Sequence, residues 1–136
     1  MRRLTIVAAA GVAVAGLAGC SQVQQLQPVA GDAEISVRAT TIDVALGAGL
    51  TFKSAPTCEF SGTHFNCQGL ATDGRAVIGE ADQYTTPEVP EQYKADLPKD
   101  AAAADKFIVI KVTAGDATLY QGLTGKILEQ NARTAQ

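Results

Sequence analysis

The chain of 136 residues has no tryptophan, one methionine, one histidine and three cysteines. With His64 as the only histidine, a zinc centre lacks ligands. Aromatic residues make up 5% of the chain, so a core must be built mainly from Val, Ile, Leu and Ala. Basic residues number 11 against 14 acidic ones. That balance lacks the basic footprint that nucleic-acid binding needs. No run reaches the roughly 20 apolar residues of a membrane-spanning helix. Gly47–Gly49 and Gly122–Gly125 match neither a dinucleotide fingerprint nor a phosphate loop. EF-hand spacing and internal repeats are absent as well.

What is present begins at the N-terminus. Arg2-Arg3 precedes an apolar run of about 15 residues from Leu4 to Ala18, the layout of a secretory signal peptide. The segment ends Leu17-Ala18-Gly19-Cys20. One reading is an ordinary signal peptide that happens to hold a cysteine. The other, adopted here, is that Leu-Ala-Gly-Cys resembles the lipobox of bacterial lipoproteins. That resemblance implies cleavage after residue 19, a diacylglyceryl group on the Cys20 sulfur, and palmitate-type acylation of the new amine. Each buried CH₂ contributes about 0.8 kcal/mol and one chain holds only marginally, so stable anchoring needs two or three. The divisions expected are a signal peptide at 1–19, a lipidated cysteine and flexible tether at 20–31, and one domain at 32–134. The mature chain keeps nine basic and 14 acidic residues, a net −5. Anionic headgroups do not attract such a body. The tether, SQVQQLQPVAG, reads as a polar spacer.

The other two cysteines, Cys58 and Cys67, suit a disulfide in an exported domain. Thr57–Gln68 reads as a hairpin turning at Gly62-Thr63, with glycine at the first central position of a type II′ turn. Cys58 then faces Cys67, and Phe60 faces Phe65. Alternation puts these four on one face and Glu59, Ser61, His64 and Asn66 on the other. The spacing fits neither a CxxC redox motif nor a zinc pattern.

Further hairpins follow. Asp73-Gly74 carries the type I′ signature. It joins a strand near Phe65–Ala71 to one near Arg75–Ala81, with Leu70 opposite Val77 and Gly69 opposite Ile78. Lys106–Thr113 turns at Gly115-Asp116 into Ala117–Gln121. Ile108, Ile110, Val112 and Leu119 are expected on the core face, and Val109, Lys111 and Tyr120 on the other. Asp32 is a candidate cap for a helix running to about Leu46, with the stripe Ile35, Ala39, Ile42 and Leu46 against the sheet. Ile35-Ser36-Val37 also reads as strand, but Thr40-Thr41 breaks that alternation. Gly47 and Gly49 stop the helix. Thr124 caps a last helix, Gly125–Arg133, with Ile127, Leu128 and Ala132 inward. The expected fold class is α+β: an antiparallel sheet of about five strands in hairpins, flanked by an N-terminal and a C-terminal helix.

A long loop at about 83–105 interrupts this pattern. It holds Pro87, Pro90 and Pro98 and an excess of acids. Glu91–Asp96 and Pro98–Asp105 are each candidates for a short helix. Loops of this length are often functional. Tyr84, Tyr93 and Leu97 are its candidate partner-binding anchors.

Catalytic patterns are weak. Ser61 faces His64, with Glu59 or Asp73 as an orienting group, yet no nucleophile elbow or oxyanion loop accompanies them. Glu80 and Asp82 share a strand face and read as a solvated edge. No catalytic residue, cofactor or metal site is assigned, and a non-enzyme is expected.

The lipobox, SVRATTIDVAL, TCEFSGTHFNC, DGRA and YQGLTGKILEQNAR together resemble small cell-envelope lipoproteins of actinobacteria. The likeness spans about residues 34–134, and the long loop departs from it. It implies a lipid-anchored protein on the extracytoplasmic face of the cell membrane, with a domain of unknown function. A binding or structural role follows, toward an envelope protein or a small apolar ligand. The alternative is an accessory or inhibitory subunit acting through the 84–105 loop.

Overall fold

In the computed structural model, residues 31–134 are described. The proposed signal peptide, Cys20 and the tether up to residue 30 lie outside them. The elements run α1 (Gly31–Gly47), β1 (Phe52–Ser61), β2 (His64–Ala71), β3 (Ala76–Thr85), a 3₁₀ turn at Thr86–Glu88, α2 (Glu91–Lys94), β4 (Lys106–Ala114), β5 (Ala117–Leu123) and α3 (Thr124–Thr134). The five strands form one antiparallel sheet in chain order. With a helix before and after it, the fold is α+β.

Turn chemistry sets the registers. Gly62 has φ +60°, as the first central position of a type II′ turn requires. Ser61 therefore pairs with His64, Phe60 with Phe65 and Cys58 with Cys67. Cys58 and Cys67 form a disulfide, with Cα atoms 4.0 Å apart.

The second turn differs from expectation by one residue. Gly69 pairs with Val77 and Leu70 with Ala76. A type I′ turn needs positive φ at both central residues. Asp73 does not adopt positive φ; only Gly74 does, at +90°. Ala71 N–H donates to the Arg75 carbonyl, closing a three-residue loop with Gly74 in the left-handed position. Asp73 instead accepts from Arg75 N–H and Nε. This shift sends Val77 into the core beside Phe65, Cys67 and Ala81.

Two irregularities escaped the pattern reading. β1 begins at Phe52 and contains a buried Pro56 where its register with β2 slips. An edge strand tolerates such a proline. In β5, a slip leaves Leu119 unpaired and sets Tyr120 opposite Val112. Tyr120 therefore joins the helix side of the sheet, contrary to expectation. Its ring lies over Gly122, and its hydroxyl donates to the Leu123 carbonyl at 2.7 Å.

The first helix forms where expected but is rotated by half a turn. Its buried face is Ala33, Val37, Thr40, Thr41 and Ala45. The expected stripe points away from the sheet, with Ile35 62% and Leu46 50% exposed. Small inward residues win because α1 approaches β3 closely. A Cβ on Gly79 would stand 2.0 Å from Thr41 Oγ1. Ile and Leu do not fit such a gap. Thr41 Oγ1 donates to the Val37 carbonyl, while buried Thr40 Oγ1 has no partner among the described residues. Asp32 lies inside the first turn rather than at the cap. Gly49 (φ +83°) ends α1, with Gly49 N–H donating to Leu46 and Leu50 N–H to Ala45. These two bonds make a Schellman motif.

α3 contacts β4 and β5. Ile127 is half-buried, but Leu128 is 37% exposed rather than inward. Asn131 Nδ2 donates to Asp43 Oδ2 at 2.9 Å, tying α3 to α1.

Candidate functional site

The long loop is ordered by its own side chains. Thr85 and Glu88 form a capping box: the Glu88 carboxylate accepts from Thr85 N–H and Oγ1. Those bonds hold the Glu88 carboxyl below its usual range. Thr86 N–H and its hydroxyl reach back to the carbonyls of Asp105 and Ala102, closing the loop at its base. Val89 is buried. Glu91–Lys94 is helical, as part of the expected Glu91–Asp96 helix, whereas Pro98–Asp105 consists of turns. Pro98 and the alanines propose a helix, but Asp105 Oδ2 takes the Ala102 N–H and competes with it.

On the sheet face remote from α1, cross-strand rows bring polar groups together. One row is Glu59, Asn66, Glu80, Lys111 and Gln121; the next is His64, Asp82 and Val109. His64 Nδ1 lies 2.9 Å from Asp82 Oδ1, and Asn66 Nδ2 donates to Glu80 Oε1. β3 is a central strand, so Glu80 and Asp82 are not on a sheet edge. Tyr84, Pro90, Gln92 and Tyr93 complete a groove of about 260 Å³ over this region. Burial, then the Asp82 charge, pushes the Tyr84 hydroxyl up.

The structure thus brings Tyr84 and Tyr93 together, with His64, Glu80 and Asp82. Leu97 is half-buried and lines neither this groove nor the cleft described next. Ser61 pairs with His64 along the backbone, but the histidine ring bonds to Asp82, while Asp73 serves Arg75. Neither proposed orienting group reaches His64. No cluster of three or more metal-ligating side chains occurs among the described residues.

A second cavity, of about 440 Å³, opens at the end of the sheet between the N-terminal turns of α1 and α3. Ala33, Pro98, Phe107, Ile108, Leu123 and Leu128 give it apolar walls. Lys106, Lys126, Asp96 and Glu129 stand among its polar lining, with Lys126 paired to Asp96. The walls come from four separate segments, so no local motif announces them. The one available signal was the apolar run at Phe107-Ile108, which reads simply as core.

Among the described residues, no helix is long and apolar enough to cross a membrane. No family model, curated protein or solved structure matches the chain.

Proposed function

We propose that this protein is an exported, lipid-anchored lipoprotein of the cell envelope, a non-enzymatic binding protein that takes a small apolar ligand in the cleft beside α1. Cysteine accounting carries the anchor. The Cys58–Cys67 bridge leaves Cys20 as the odd cysteine, and it stands where a lipobox requires one. The bridge also suits an oxidising compartment. The cleft supports the binding role. Its volume and apolar walls match the usual character of small-molecule sites, in which a few polar groups orient the ligand. Lys106 is the cationic group left to orient such a ligand, since Lys126 is paired with Asp96.

Two measurements test the reading. Intact mass of membrane-extracted protein should show loss of residues 1–19 and added acyl mass. Cys20→Ala should abolish both and release the chain from membranes; retention would overturn the anchor. For the cleft, a fluorescent fatty-acid probe should bind the wild type and bind Leu128→Asp far more weakly. Equal binding by the two would refute that site.

A second reading is an accessory or inhibitory subunit. The shared groove of Tyr84 and Tyr93 favours it, since the loop presents both to one face. Tyr84→Ser/Tyr93→Ser should then lose a captured envelope protein that the wild type retains. An unchanged set of captured proteins would refute it.

A further inference from the structure

Four large apolar side chains stand exposed among the described residues: Ile35, Leu46, Phe60 and Leu128. Three of them gather at one end of the domain. Thr41 lies over Gly79, whereas Asp32, Ala33 and Ser36 share the cleft with Gln83. α1 therefore runs antiparallel to β3, and Ile35 reaches the Thr85 end of that strand. Phe60 pairs with Phe65, which pairs with Ala81, so Phe60 lies toward the same end, one residue before the Ser61–His64 turn closure. Leu128 lines the cleft together with Asp32 and Ala33. The polypeptide also enters the described domain here, at Gly31.

α1 itself is anomalous. Its inner stripe is buried, yet its outer stripe of Ile35, Ala39, Ile42 and Leu46 is apolar too. Polar Glu34, Ser36, Arg38 and Asp43 flank that stripe and Ala39 and Ile42 are half-buried, so Ile35 is the member that a covering surface at this end would bury.

We infer that the α1 N-terminal end of the domain rests on the outer surface of the bilayer, with Ile35, Phe60 and Leu128 at headgroup depth. This rests on the lipid anchor proposed at Cys20. Eleven peptide steps separate Cys20 from Gly31. Fully extended they span at most about 40 Å. A tether of that reach allows this end to touch the membrane. An apolar patch too small to hold a free protein is enough to orient one already anchored. Local charge is mixed: Asp32, Glu34, Asp96 and Glu129 stand with Arg38, Lys106 and Lys126. That mixture suits a zwitterionic surface, such as phosphatidylcholine, better than a strongly anionic one.

The absence of native tryptophan makes the test direct. Mature lipidated protein carrying Ile35→Trp is reconstituted into phosphatidylcholine vesicles and compared with Thr118→Trp, an exposed position toward the opposite end. The expected result is emission at shorter wavelength for Ile35→Trp, with intensity at least halved by brominated phosphatidylcholine. Thr118→Trp should show neither change. Protein that sediments with vesicles while Ile35→Trp remains solvent-like and unquenched overturns the docking and leaves the anchor intact. A blue shift insensitive to brominated lipid points to a second copy on α1 and also overturns it. Failure to sediment, together with an unacylated mass, refutes the anchor reading and the docking that rests on it. Replacing both Ile35 and Phe60 with serine should abolish the quenching of a Leu128→Trp reporter without lowering vesicle sedimentation. Persistent quenching there overturns the assigned contact.

Discussion

Replacing Gly79 with alanine puts a methyl group where Thr41 already stands. The new Cβ would lie 2.0 Å from Oγ1, 3.1 Å from Cβ and 3.2 Å from Cγ2 of Thr41. Rotating Thr41 about χ1 does not relieve this fully, because its Cβ stays 3.1 Å from the new methyl and the Val37 hydrogen bond breaks. α1 must lift from β3. Overpacking of this kind costs about 1–3 kcal/mol, and the near-rigid contact places Gly79 at the top of that range. Alanine recovers roughly 0.5–1 kcal/mol over glycine within a strand. The net loss is about 2 kcal/mol, or roughly 10 °C in the midpoint for a domain of this size. Thr41→Ala alone should cost about 1 kcal/mol, from two buried atoms and one hydrogen bond. In the double variant the added methyl occupies the vacated space. The two losses should then fall short of additivity by at least about 1 kcal/mol. Urea unfolding followed by far-ultraviolet circular dichroism measures all four corners of the cycle. A Gly79→Ala loss below about 0.5 kcal/mol, the scale of a neutral surface change, would refute the close approach. Strict additivity would refute the contact.

Three other outcomes follow from particular groups. Thr40→Val keeps the shape and removes a buried hydroxyl that has no partner among the described residues, so it should raise stability by about 1 kcal/mol in the same titration; a loss would show that the hydroxyl has a partner. Reducing Cys58–Cys67 opens a ring with a sequence separation of 9 and should cost about 2.5–3 kcal/mol, read as the shift in urea midpoint with reductant. Tyr120→Phe should cost about 1 kcal/mol at neutral pH by losing the bond to Leu123. Burial, then Asp96 and Tyr93, raises the Tyr120 hydroxyl above its usual range. Its contribution is whole below the ordinary tyrosine pKa and is lost as pH climbs through the folded value. The gap between wild type and variant should therefore narrow under alkaline conditions; a widening gap would contradict the assigned bond.

Much of the sheet was legible in the sequence because glycine turns fix register locally. Gly62 at a type II′ position led to the Cys58–Cys67 pairing, and Gly115-Asp116 to the last hairpin. Asp73-Gly74 misled by one residue. The same dipeptide serves a two-residue turn or the end of a three-residue one, and only the φ of Asp73 separates them. The outward roll of α1 was illegible for a different reason. Ile35, Ile42 and Leu46 form the more hydrophobic stripe, but the depth of the seat at Gly79 belongs to β3, some forty positions downstream. Tyr84 and Tyr93 line one groove, whereas Leu97 does not join them. The cleft at the sheet end was invisible to local pattern, since its walls come from four segments.

Strand order that follows chain order has a temporal consequence. The β1–β2, β2–β3 and β4–β5 pairings close short turns at little entropic cost; only β3–β4 must wait for the long loop. α1 is made first, yet its docking floor at Gly79 emerges far later. A chain that emerges N-terminus first during synthesis would therefore stay pliant until three strands had cleared, and only then clamp shut.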